Sequence, residues 1–186
     1  MSETVGPKRF YQEVSIIPHE GRHAIALDGR LAKTMGRNIL SAPTEAAAEA
    51  IAAEWAGQGE HIDRASMPLT GMLSASIDGG AEDADAWREE IVKYLGSDLV
   101  CYRAEEPQAL AERQAASWDA YVEFMRAEFG AILVTTAGVM AVPQADASMA
   151  AVRAVLADIS PETLFALQIA TAISGSAVLA LALWKR

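Results

Sequence analysis

The stretch NILSAPTEAAAEAIAAEW, residues 38–55, is where the chain changes its period. Asn38 to Pro43 reads as a short extended run, and from Thr44 the large apolar residues fall at helical spacing, with Ile51 and Trp55 four apart on one face. Thr44 offers a side-chain oxygen to cap a helix, Glu45 suits the positive end of its dipole, and Gly57 and Gly59 close the run.

Upstream of this switch the sequence reads as strands. RFYQEVSIIP (9–18) and HAIALDG (23–29) are short runs with β-branched and aromatic members, broken by Pro18, Gly21 and Gly29. HEGR (19–22) and DGR (28–30) carry turn chemistry. Downstream it reads almost entirely as helix. Leu69, Leu73 and Ile77 repeat at helical spacing until Asp78-Gly79-Gly80 stops them. A third helix is expected over 83–95, with Trp87, Ile91, Tyr94 and Leu95 on its buried stripe, and a fourth from Pro107 to Gly130. AILVTT (131–136) and GVMAVP (138–143) read as two short strands around Gly138; a helix over 146–158 follows, and Ser160-Pro161 opens the last one. The expected fold is α+β: a small β-rich N-terminal domain, 1–43, and a mainly helical domain, 44–186, with a strand pair near 131–143.

Composition narrows the function classes. At 52% hydrophobic residues the 186-residue chain can bury a sizeable core, and a lone cysteine excludes an intrachain disulfide. The net charge of -10 is uneven: about -2 over residues 1–60, about -8 over 61–130 and about 0 over 131–186. No basic stripe is present to neutralise phosphates, which disfavours a nucleic-acid partner, while an acidic middle can attract a basic protein surface or simply keep an apolar protein dissolved. The opening MSETVGPKRFYQEV has neither an apolar signal core nor an Arg/Ser-rich amphipathic stretch. Thr163 to Trp184 runs 22 residues without a charge, long enough for a bilayer, but Gln168, Thr171, Ser174, Gly175 and Ser176 interrupt it, and a buried helix is the preferred reading.

No motif for chemistry survives inspection. His19 and His23 flank a turn, His61 has no second ligand nearby, and no metal site is expected. GMLSAS (71–76) lacks the glycine spacing of a nucleophile elbow, GRLAKT (29–34) lacks the glycine before lysine of a phosphate loop, and GQGEHI (57–62) has Ile62 in place of the third glycine of a dinucleotide loop. Glu82, Asp83, Asp85, Glu89 and Glu90 read as the wet face of a helix. Cys101 follows Leu99-Val100, has Arg103 as its only local cation, and reads as a buried small residue rather than a nucleophile. A hydrolase using Cys101 or acidic residues, and a membrane-attached structural protein anchored through 163–184, remain as alternatives.

Several separated stretches together resemble one family. KRFYQEVSI (8–16), LDGRLAKTMGRNILSAPTEAAAEAIAAEW (27–55), MPLT (67–70) and GSDLVCYRAEEPQALAERQAASWD (96–119) are similar, in order, to the assembly chaperones that attend the α subunit of the F-type ATP synthase catalytic head, the Atp-twelve-type family, and most to its bacterial branch. The resemblance implies a β-rich N-terminal domain joined to a helical one, no catalysis and no cofactor. It implies a free α subunit as protein client, a monomeric chaperone, and a cytoplasmic location in bacteria or the mitochondrial matrix in eukaryotic relatives. It also implies a further helix and an acidic, tryptophan-containing tail beyond Arg186, so a truncated chain whose helix from Ser160 leaves a face uncovered is expected. Trp55, Trp118 and Tyr102 match motif positions of the family, where core packing is the preferred role. Trp87, Asp98, Tyr102, Glu105 and Glu106 are the expected client-binding residues, the acids being read as exposed groups near an apolar edge.

Overall fold

The computed structural model describes residues 6–186. The N-terminal sheet is built around one strand. Strand β1 (Val14–His19) turns through Glu20-Gly21 into β2 (Arg22–Leu27), pairing antiparallel with Val14 opposite Leu27 and His19 opposite Arg22. On the other edge of β2, β3 (Arg30–Leu31) takes the register of Ala26 and Leu27, and β4 (Ser41–Ala42) takes that of His23 and Ala24. Both hairpin turns need two residues at positive φ, and Asp28-Gly29 supplies them at 48° and 75°, as a two-residue hairpin demands. Enclosed on both edges, β2 buries Ala24 through Leu27.

Helix α1 (Glu45–Ala56) begins where its sequence says it should, with the Thr44 side chain accepting from the Ala47 N–H. It packs Ala48 and Ile51 against Ile25, Leu40, Ile62, Met67 and Leu73 to close the first core. Its Glu54 carboxylate accepts from the N–H groups of Leu69 and Thr70, both at 2.7 Å, and from the Thr70 hydroxyl. A side chain of α1 therefore caps the next helix, α2 (Pro68–Leu95). Helix α2 is interrupted at Gly80 (φ 50°, ψ -139°), and Asp78 just before it accepts from Thr34, Gly36 and Asn38 of the loop between β3 and β4.

The chain divides into two compact units at this interruption, the first ending at Gly80 and the second starting at Ala81. The boundary expected at 43/44 followed the change of period. The compact unit extends further because a four-stranded sheet cannot bury its inner face alone, and α1 with the first half of α2 covers it.

The second unit is helical around a separate core of Ile91, Leu95, Val100, Met125, Leu156, Leu164 and Leu181. Helix α3 (Gln108–Phe129) starts one residue after Pro107, and α4 (Asp146–Ala157) and α5 (Pro161–Ser174) follow as expected, the last capped by Ser160. Two expectations fail. The strand pair near 131–143 does not form: within it only β6 (Thr136–Ala137) is extended into a ladder, and it pairs in parallel with β5 (Tyr102–Arg103). Residues 131–135 instead follow the end of α3 as irregular chain, with Ala131 and Leu133 buried. The uncharged stretch 163–184 is not one helix either. Gly175 adopts φ 70°, ends α5, and lets Ser176 cap a separate helix α6 (Ala177–Trp184). Among the described residues no helix is long and apolar enough to cross a membrane.

Since Gly175 sits in the left-handed region and an added Cβ would meet only Leu99 Cδ2, at an ordinary contact distance of 3.9 Å, Gly175→Ala is expected to cost about 1–2 kcal/mol from backbone strain. Urea denaturation measures it; an unchanged midpoint would show that the break between α5 and α6 does not need glycine.

Candidate functional site

The segment from Ser97 to Pro107 forms a corner of the second unit, and its residue types explain its shape. Asp98 caps a single 3-10 turn, Leu99–Cys101, which leads straight into β5. The Arg103 side chain folds back to the Val100 carbonyl, bonds the Asp119 carboxylate at 2.8 Å and lies 5.1 Å from the centre of the Trp118 ring. Gln114 of α3 accepts from the Ala104 N–H at 2.7 Å. Held in this way, the chain presents Glu105 and Glu106 to solvent. Glu105 lies so close to Gly138 that a Cβ there would stand 2.9 Å from its carboxyl oxygen.

Pairing of β5 with β6 brings this acidic corner beside an apolar strip. Ile132, Val134, Val139 and Met140 are all exposed, Val139 at 96% and Met140 at 78%. Large apolar groups exposed this close together in the chain are candidates for a contact site. Reading 131–143 as two ladder strands hid this strip. The signal present in the sequence was a long apolar run without a helical period; Ala131 and Leu133 enter the core, and Ile132, Val134, Val139 and Met140 are left at the surface.

The expected binding residues fall in three places. Tyr102, half-buried on β5, and exposed Glu105 and Glu106 lie at the corner. Trp87 packs elsewhere, its ring 4.9 Å from Phe165 of α5. Asp98 corrects the expectation of an exposed acid, for it has no accessible surface. Its carboxylate accepts from the Ser176 hydroxyl at 2.6 Å, the Val178 N–H at 3.0 Å and the Val100 N–H at 3.1 Å, so it braces the N-terminus of α6. Burial pushes its carboxyl above the usual range, and these hydrogen bonds oppose the rise.

Cys101 is buried as its flanking apolar residues imply. Burial, with the Asp98 charge nearby, pushes its thiol up to about 11, against the weaker opposite pull of Arg103. That is the reverse of an activated nucleophile. Among the described residues no three His, Cys, Asp or Glu side chains converge as a metal site.

A scaffold with a shielded thiol and an exposed apolar strip beside acids is equipped to hold another protein. The family model described as ATP12 chaperone protein matches residues 8–126. The structure of Atp12 from Paracoccus denitrificans is similar at 39% identity and a TM-score of 0.87, covering 95% of this chain and 76% of that one. A single-site mutant of the same organism's Atp12p matches at the same identity and score, covering 95% of this chain and 75% of that one. A candidate chaperone from Agrobacterium tumefaciens is 38% identical with a TM-score of 0.87, covering 95% and 67% respectively. The chain belongs to the ATP12 chaperone family, a family of assembly chaperones and not of enzymes.

Two outcomes follow. Ellman's reagent at pH 8 is expected to leave the native thiol unmodified and to react fully in urea; rapid native reaction would contradict the shielding of Cys101. For Asp98, a folded-state pKa above the unfolded value favours the protonated form, so its contribution is full below the unfolded pKa and falls as pH rises through the raised one. Asp98→Asn removes that pH-dependent part. Its urea-measured loss of stability is therefore expected to be smaller at pH 7 than at pH 4, and a loss that grows with pH would reverse the assignment.

Proposed function

We propose that the protein binds the free α subunit of the F-type ATP synthase catalytic head, masks the apolar face that α turns toward its neighbours, and leaves as the hexamer forms. In this reading it acts as a cytoplasmic monomer without a cofactor. The observation that carries it is an exposed apolar strip, Ile132 to Met140, on a chain of a chaperone family. A free subunit of an oligomer exposes an apolar surface that aggregates unless covered, and a covering partner has to yield to the larger native interface. Tyr102, Glu105 and Glu106 beside the strip are the proposed client contacts, with Trp87 as a further one. The exposed acids give the surface a charge that speeds encounter with a basic client patch.

Co-expression with tagged α and β subunits separately, followed by pull-down and gel filtration, tests this. A complex with α alone that dissolves when β is added is expected; failure to capture α would overturn the reading. Val139→Asp with Met140→Asp is expected to reduce captured α about tenfold while leaving the thermal midpoint unchanged, because both side chains already face solvent. Undiminished capture would move the contact away from this strip.

A further inference from the structure

The first unit has its own concave surface, distant in sequence from every residue assigned above. Two depressions of about 590 and 530 Å³ adjoin one another and share Phe10, Lys33 and Trp55 as common lining. The smaller is walled by Met35, Ile62 and Met67, and its size is that of a side-chain or ligand pocket. Phe10 and Met35 stand 70% and 77% exposed at its lining. The Trp55 indole N–H is buried and has no hydrogen-bond partner.

Charge gives the mouth a sign. Lys33 and Arg64 both line the smaller depression. Among the described residues Lys33 forms no ion pair, and the Arg64 side chain makes one hydrogen bond, to the Met35 sulfur at 3.5 Å. The single carboxylate lining that depression, Asp78, is already engaged by three donors from Thr34, Gly36 and Asn38, which hold its carboxyl below the usual range. The lining of that depression therefore carries two cations against one carboxylate, and the larger one carries Arg30 and Lys33 against Asp28, in contrast to the net acidic second unit.

We infer that these depressions dock an extended segment of the protein client, with a bulky apolar side chain in the Met35–Met67 depression and a carboxylate two residues away against Lys33. The choice of a protein client rests on the proposed function. The two-part shape favours a peptide over a small amphiphile, because side chains i and i+2 of an extended chain lie on one face about 7 Å apart and enter neighbouring depressions. A compact ligand would fill only one. Lys33, common to both depressions, then faces the charge that links them.

The test uses the whole chain, isotopically labelled, and follows the Trp55 indole signal by NMR, assigned by its loss in Trp55→Phe. The probes are capped heptapeptides centred on Phe-Ser-Asp, Phe-Ser-Lys and Gly-Ser-Asp, with decanoate as the small amphiphile. The Phe-Ser-Asp peptide is expected to move Trp55 and to bind about tenfold more tightly than the other two peptides, and Lys33→Glu is expected to reverse the Asp-over-Lys preference. Equal binding by all three peptides, no movement of Trp55, or binding of decanoate alone would overturn the inference. Met35→Asp and Ala75→Trp, both at exposed positions lining the depression, are expected to abolish the shift; its persistence in both would also overturn it. Capture of α by the same Met35→Asp protein separates the two readings. Loss of α with the strip intact supports a client contact here, and undiminished capture overturns it while leaving the proposed function standing. If the wild-type chain captures no α yet the Phe-Ser-Asp peptide binds, the proposed function falls and the docking site stands.

Discussion

A carboxylate with no accessible surface holds the second unit together. Asp98 and Ser176 are 78 residues apart, yet the Asp98 side chain bonds the Ser176 hydroxyl, the Val178 N–H and the Val100 N–H at once. Placing an unpaired carboxylate in an apolar interior costs several kcal/mol. Three donors and the positive end of α6 offset part of that cost, and in return the carboxylate satisfies N–H groups that a short buried helix would otherwise leave orphaned. Helix α6 is only eight residues long and would not persist alone. Fixing its start sets Val178 and Leu181 into the core beside Val100, and fixes the turn from which β5 and the acidic corner emerge.

The two candidate surfaces differ in physical character, and this bears on how a client is held. The second unit carries 8 basic and 15 acidic side chains, a net of about -7, and offers exposed apolar residues beside Glu105 and Glu106. The first unit offers concave depressions with Lys33 and Arg64 at their lining. Exposed apolar area covers a partner with little preference for sequence, whereas a pocket with charged groups at its lining selects particular side chains. On the proposed reading, in which one subunit is chosen and its large face masked, both kinds of surface have a use.

The sequence told the local structure well wherever a single residue dictates backbone geometry. Thr44, Asp28-Gly29 and Ser160-Pro161 each do in the structure what their chemistry requires. The break at Gly80 was legible for the same reason. What local rules could not reach were features decided by distant partners. Glu54 capping α2 and Asp78 bonding the 34–38 loop extend the first unit beyond the change of period. Asp98 looked like a solvated acid because its partners lie at the far end of the chain. Residues 131–143 have strand-like composition, but β6 found its neighbour in β5 and the rest found none. Of the candidate site, the acids at the corner could be named from sequence, whereas the exposed strip and the depressions around Trp55 could not.

Each candidate surface exposes one thioether, Met140 on the strip and Met35 in the depression, while Met67 and Met125 are buried. Oxidants convert an accessible thioether to a polar sulfoxide far more readily than a shielded one. Peroxide would therefore reach the methionines of the two proposed client surfaces before the buried Met67 and Met125 of the cores. The damaged molecule would still be folded, with a more polar grip, and its function would be recoverable by sulfoxide reduction rather than by new synthesis.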